Sequence, residues 1–384
     1  MHWLAMVGLT VWLSTAPQST VTAATVMEQA QHTLGLIYDM QFTEALQAAQ
    51  GLVEVAPQHP IGYFYRAATY WQWRLILYDT TRRSVFLEHF LEASQRAVQA
   101  AEGLLATQET EASFYLGATY GMQARTYFVE RDYLKALRTA RQAAHYLQRC
   151  VNGDSPWYDA YAGLGTYHYV LARVPWVWRL IVQQIVGIKG DRARGLQELE
   201  RARTHGRLSV PEAASLLAKI YGLPDERQYQ QAYALLEPLV QRYPHNFDYR
   251  YRLALLCQSL GLWERALQLY QSLITDLTRG APYYDRQWLP LLQYRVAETH
   301  ILQGHHAIAA PLLEKLLLEQ DAVLLPWVKL RLGNVYDLRR QRQAAQMWYN
   351  EVEQEPVARE LAARYDRRPF VAGPGTLKPP EYTI

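Results

Sequence analysis

Leu332-Gly333-x-x-Tyr336 followed by Ala345-x-x-x-Tyr349 is the stretch that decides the fold. The same frame stands upstream as Leu253-Ala254-x-x-Cys257 with Ala266-x-x-x-Tyr270, and as Val296-Ala297-x-x-His300 with Ala309-x-x-x-Leu313. In each case the alanine falls thirteen residues after the first apolar position, with an aromatic residue or leucine four further on. Self-similarity at a fixed spacing marks stacked helix–turn–helix units. The small residue lets paired helices approach to roughly 8–10 Å between axes. The side chain four residues later shares its helical face and fills the gap toward the next unit. The expected fold is an all-α superhelical solenoid of about eight hairpins.

Worked outward, the column of small residues reads Ala45, Ala93, Ala136, Gly195, Ala232, Ala266, Ala309 and Ala345. Pro57 and Pro244 stand twelve residues after Ala45 and Ala232, where a fixed φ and a missing N–H suit the turn between hairpins. Ser155-Pro156 has the form of a cap followed by a first-turn proline and is expected to open a helix. The fourth hairpin is interrupted by VPWVWRLIVQQIVGIK, residues 174–189, which reads as an inserted apolar helix, with Asp191 capping the helix that resumes. This divides the chain into an N-terminal half, 24–205, and regular repeats over 206–365. Residues 366–384, rich in proline and glycine, read as an extended or disordered tail. In such an array each repeat is expected to touch only its neighbours.

The composition agrees with a continuous core: of 384 residues, 50% are hydrophobic and 20% charged. The net charge of +3 is too small to call for nucleic acid or an anionic membrane surface as an obligate partner. Tyrosine and tryptophan, 28 and 11 against 8 phenylalanines, suit helix interfaces that are partly wet. Cys150 and Cys257 are repeats apart and read as buried free thiols. At the N-terminus, the apolar run Trp3–Leu13 leads to Val21-x-Ala23, so residues 1–23 read as a cleaved signal peptide, with an uncleaved N-terminal anchor as the alternative. The mature chain is then expected to be exported, periplasmic or extracellular, and soluble.

The regular hairpins resemble tetratricopeptide repeats. Gly163-Leu164-Gly165-x-x-x-Tyr169, the Val174-Pro175 segment and Gly190-Asp191-Arg192-x-x-Gly195-Leu196 together resemble the tetratricopeptide-repeat protein 39 and inclusion-body-clearance family. Tyr38-Asp39-x-x-Phe42-x-x-Ala45 and the block from Gly62-Tyr63-Phe64 to Tyr70-Trp71 are similar to bacterial relatives of that group, and the likeness covers about residues 26 to 205. The resemblance implies an adaptor or scaffold without catalytic activity, linked in some eukaryotic members to lipid stores or protein turnover. The export signal sets this chain apart from those intracellular relatives.

Patterns that carry catalysis or metal binding are missing from the sequence: no H-E-x-x-H, paired C-x-x-C, Walker lysine or G-x-S-x-G. No cofactor is expected. Glu298 and Asp285 read as scattered carboxylates on solvent faces, and His300 as a core-edge side chain in a repeat position. Two constellations remain. Tyr63, Tyr70, Trp71, Trp73 and Arg74 end a leading helix, and leading helices line the inner curve of such arrays; Trp, Tyr and Arg are also the residues of binding hot spots. Bracing of the second hairpin explains them as well. Trp176, Trp178, Arg179, Ile181 and Ile185 lie on the insertion, which either packs back onto the solenoid or docks at a membrane interface. The function expected is a non-catalytic scaffold of the cell envelope that binds a protein or peptide on its concave surface. The alternative is a lipid- or membrane-associated binding protein that uses residues 174–186.

Overall fold

A computed structural model describes residues 23–77, 80–152, 156–187, 189–319 and 321–373. The expected signal segment up to residue 22 and residues 374–384 of the tail lie outside the described residues. Within them the chain forms antiparallel hairpins and no strand. The first three pairs are α1 (Ala23–Tyr38) with α2 (Phe42–Val55), α3 (Pro60–Ile76) with α4 (Thr80–Leu104), and α5 (Glu109–Val129) with α6 (Tyr133–Val151). Next comes α7 (Ala160–Arg173), then the insertion helix α8 (Trp176–Val186), then α9 (Arg192–His205), which pairs with α7. Three further pairs are α10 (Val210–Tyr221) with α11 (Tyr229–Arg242), α12 (Phe247–Leu260) with α13 (Trp263–Arg279), and α14 (Leu289–Leu302) with α15 (His306–Leu317). The last pair, α16 (Leu325–Leu338) and α17 (Arg342–Asn350), is covered by α18 (Pro356–Arg367). Eight hairpins and a terminal helix follow the expected solenoid.

The small-residue column does what its spacing predicts, since every member from Ala45 to Ala345 is buried. Gly165 shows why nothing larger fits in the fourth hairpin. A Cβ there would stand 2.7 Å from the Gly195 carbonyl oxygen and 2.8 Å from the Leu199 nitrogen, both backbone atoms of the facing helix α9. The α7 and α9 backbones are thus in direct contact. Asp191 caps α9 as expected, its carboxylate accepting the Arg194 N–H at 3.0 Å. The helix expected to open at Ser155-Pro156 instead begins at Ala160. The chain first makes a turn in which the Trp157 N–H bonds back to the Cys150 carbonyl. Ser155 itself is outside the described residues. Cys150 and Cys257 are buried free thiols, as read.

Glu298 corrects the solvent-face reading. It is 1% exposed, and its two oxygens take the Arg295 Nη1 at 2.6 Å and the Arg331 Nε at 2.8 Å, both guanidiniums also buried. Arg295 further donates to the Tyr251 hydroxyl, and Arg331 to Asn334. Asn334 donates to Tyr349, whose hydroxyl donates to Asp337. This polar chain stitches α12, α14, α16 and α17 through an otherwise apolar core. It ends in the segment read as a tail: the Phe370 N–H donates to Asp337 at 2.9 Å, and its ring is buried against Tyr365.

The expectation that repeats meet only their neighbours fails at one place. The α1–α2 turn and the end of α3 pack on the start of α12 and on the connection between α13 and α14, more than two hundred residues away. Asp39 takes the His245 N–H at 3.0 Å and its Nδ1 at 2.8 Å, and the Asn246 side-chain amide donates to the Tyr38 carbonyl at 2.6 Å. Phe42, fully buried, is stacked on Trp73 at 5.3 Å and meets Tyr283 edge-on at 5.4 Å. The Tyr283 hydroxyl donates to Glu44 and accepts the Thr43 N–H. The Trp288 indole N–H donates to the Ile76 carbonyl. Tyr283 holds φ +72°, a conformation that costs a bulky residue on the order of 1–3 kcal/mol and persists only where its surroundings impose it. Repeat periodicity encodes contacts between successive hairpins. The curvature accumulated over five of them brings the first back against the sixth, and the array closes on itself.

Candidate partner-binding face

Closure gives the leading helices a shared interior. Arg125 on α5 lies in the fields of Tyr167 on α7 and of Glu212 and Lys219 on α10. Helices that are not sequential neighbours approach in this way only on the inside of a curved array. The Arg125 guanidinium stands over the Trp71 ring, 4.6 Å from its centroid. Its side chain is exposed, and among the described residues no carboxylate lies within ion-pair distance of it. Loss of hydration nevertheless lowers its pKa, with Glu212 and Tyr167 opposing the shift.

Lys219, which feels the Arg125 charge, belongs to a charged cluster. Asp248 on α12 binds the Lys219 ammonium at 3.0 Å and the Arg252 Nε at 2.7 Å. Burial lowers the Lys219 pKa, and Asp248 works against the shift. Burial would raise the Asp248 carboxyl, but Arg252 and Lys219 outweigh it and hold the group below the usual carboxylate range. Burial likewise raises the Tyr167 phenol. The inner face therefore offers a cation laid on an indole and without an ion pair among the described residues, together with an ion triad, which suits an anionic group carried on an apolar or aromatic segment.

The residues picked out from the sequence divide. Trp71 is buried in a cluster with Ala67, Phe90 and Ala93, its ring covered by Arg125. Arg74 is 2% exposed and ion-paired to Glu130 beyond the end of α5, so it corrects the reading of Arg74 as a partner contact. Trp73 belongs to the closure with Phe42, Phe86 and Tyr283. Tyr63 is half-buried and donates to the Pro57 carbonyl. Tyr70, half-buried, stacks on His89 at 5.0 Å and lines a shallow groove with Gln47, Gln50, Glu54 and Arg66. On α8, Val182 and Val186 seat the helix and Ile185 is half-buried, whereas Ile181 is exposed; Arg179 donates to the Val174 carbonyl. The Trp178 side chain lies outside the described residues. Sequence reading missed Arg125 and Lys219. Lys219 follows the small residue Ala218 on a leading helix, a position that points inward once the column is known.

Stacked hairpins with this small-residue column define a helical-repeat array. Residues 225–285, spanning α11, α12 and α13, match the tetratricopeptide repeat model, which supports the reading of the chain as a tetratricopeptide-repeat protein. No curated protein matches the chain. Solved structures similar to it include aspartyl phosphate phosphatase F from Bacillus subtilis, at 13% identity over 95% of this chain and 92% of that one, with TM-score 0.40. Another is the human IFIT1 dimer with PPP-AAAA, at 13% identity over 91% of this chain and 87% of that one, also with TM-score 0.40.

Proposed function

We propose that the protein is a non-catalytic binding scaffold of the cell envelope, which takes an extended protein segment along its inner face. The observation that carries this is Arg125: an exposed guanidinium without a carboxylate partner among the described residues, resting on Trp71 inside the closed array. Arg, Trp and Tyr are enriched among the few residues that carry most of an interface's binding energy. The contacts that join the first and sixth repeats fence this face from the side, which favours an extended chain over a folded domain. An acidic residue flanked by apolar ones on the partner would pair with Arg125 and cover Trp71. Tetratricopeptide-type arrays in general mediate protein–protein contact, and the likeness of the fourth hairpin to the tetratricopeptide-repeat protein 39 group supports an adaptor role. Export rests on the Trp3–Leu13 run and Val21-x-Ala23.

A photo-crosslinking amino acid placed at Tyr167 or Lys219, in cells that produce the protein, tests the reading. One discrete adduct from these positions, absent from a control position at Glu314 on the exposed side of α15 and lost in Arg125→Ala, is the expected result. Adducts of equal yield from inside and outside, or none from inside, would overturn it.

A further inference from the structure

The edge where α5 turns into α6 carries an exposed apolar set that a folded chain would ordinarily cover. Leu134 is 69% exposed and Phe128 64%, with Val129 and Tyr133 above half. The leading helices α5 and α7 run parallel and in contact, so both end at this edge, and α8 starts there and packs against α6. Only its Val182–Val186 side is seated. The opposite side presents Trp176, 80% exposed, and Leu180, 72%, with Val177 and Ile181 beside them. Eight large apolar side chains from two neighbouring repeats thus stand out on one rim, well beyond single scattered residues.

Charge around this rim is one-sided. Arg131, Lys135, Arg138 and Arg141 are exposed on the α5–α6 turn and the first turns of α6, and none has an ion pair among the described residues. Among the described residues the acids of this edge are occupied, Glu130 by Arg74, Asp132 as the cap of α6, where it accepts the Lys135 N–H, and Asp225 by Arg173 at the end of α7. Between Val174 and Gly190 the chain has Arg179 and Lys189 and no acid at all. The basic face that the insertion lacks in its own sequence is supplied by α6. The apolar side chains protrude from a turn and from the outer side of a helix. Protruding Trp, Phe, Tyr and Leu ringed by cations suit a headgroup layer over hydrocarbon. No helix among the described residues is long and apolar enough to cross a membrane, so the contact is one of docking.

We infer that the rim formed by α8 and the α5–α6 turn docks on an anionic lipid bilayer surface, its apolar side chains entering the interface and Arg131, Lys135 and Arg138 facing the headgroups. This surface is separate from the inner face and leaves it free for a partner.

The test uses the full chain, so that any contribution of residues 1–22 is equal in every arm. Leu180→Cys is labelled with an environment-sensitive dye, which the buried Cys150 and Cys257 do not take up in the folded protein. Mixed phosphatidylcholine–phosphatidylglycerol vesicles are expected to shift the dye emission to the blue, and phosphatidylcholine vesicles to do so far less. Lys135→Gln with Arg138→Gln should weaken binding about thirty-fold, roughly fivefold for each surface cation lost. Trp176→Ser with Leu180→Ser, checked for an unchanged helical signal and unfolding transition, should abolish the increment over the chain's remaining vesicle affinity. An unshifted dye, or sedimentation with anionic vesicles equal in wild type and both variants, would overturn the inference. So would a stoichiometric protein captured on this rim that the vesicles fail to displace.

Discussion

Glu298 is the residue whose loss the structure prices most clearly. Its carboxylate neutralises one of two buried guanidiniums and screens the other, at 2.6 and 2.8 Å. With about 4 Å between charge centres and an effective dielectric near 20, each pair contributes roughly 4 kcal/mol of attraction. Desolvation of the three groups offsets much of that in the intact triad. In Glu298→Gln the attraction goes but the buried Arg295 and Arg331 charges stay, so the expected loss is about 3–5 kcal/mol. The sign with pH follows from the same groups. Burial alone would raise the Glu298 carboxyl, but Arg295 and Arg331 outweigh it and hold it below the usual range. Its contribution is therefore complete above the unfolded carboxylate value of about 4.3 and fades as pH falls through the lower folded value. Urea unfolding followed by helical signal, with amide exchange over α14 and α16, measures both effects. Joint replacement of Arg295, Glu298 and Arg331 by leucine should recover most of the loss, because it removes the stranded charges. A loss below about 1 kcal/mol in Glu298→Gln, or a triple variant less stable than the single one, would refute the reasoning.

Other expectations are simpler. Gly165→Ala drives a methyl into the α9 backbone, which has no rotamer to yield, and should cost about 1–3 kcal/mol in thermal unfolding; an unchanged transition would show that the α7–α9 contact is looser than it stands. Ala266→Leu should cost a similar 1–3 kcal/mol by prying α12 from α13. Burial pushes the Cys150 and Cys257 thiols up to about 12, so neither should react with maleimide near neutral pH until the chain unfolds. Rapid native labelling of either would contradict the packing around it.

The repeat architecture was legible because it depends on local chemistry that recurs: a small residue where helices touch, a ring or leucine one turn on, a proline or cap at the boundary. The inserted helix was legible for the same reason, as a break in that rhythm. What escaped was anything set by accumulated curvature. Trp73 and Arg74 looked like members of a binding groove because their neighbours along the helix do reach the inner face. Which of them points inward is decided by α4, α5 and the returning loop at Tyr283. Arg125 sits in the extra length of α5, outside the frame that guided the reading. Glu298, in a polar-looking stretch, is buried because two arginines from α14 and α16 converge on it, a pairing that no single-helix pattern reveals.

The central claim is that the array closes, with its first hairpin held on the sixth, and that this creates the enclosed inner face. Cysteines in place of Asp39 and His245, in contact in the folded chain, test it most directly with a short thiol–thiol cross-linker in dilute solution. Rapid intramolecular cross-linking is expected, slowed strongly when Phe42→Ala empties the Trp73–Tyr283 clasp. Cross-linking no faster than in the urea-unfolded chain would mean an open solenoid, and would contradict the account.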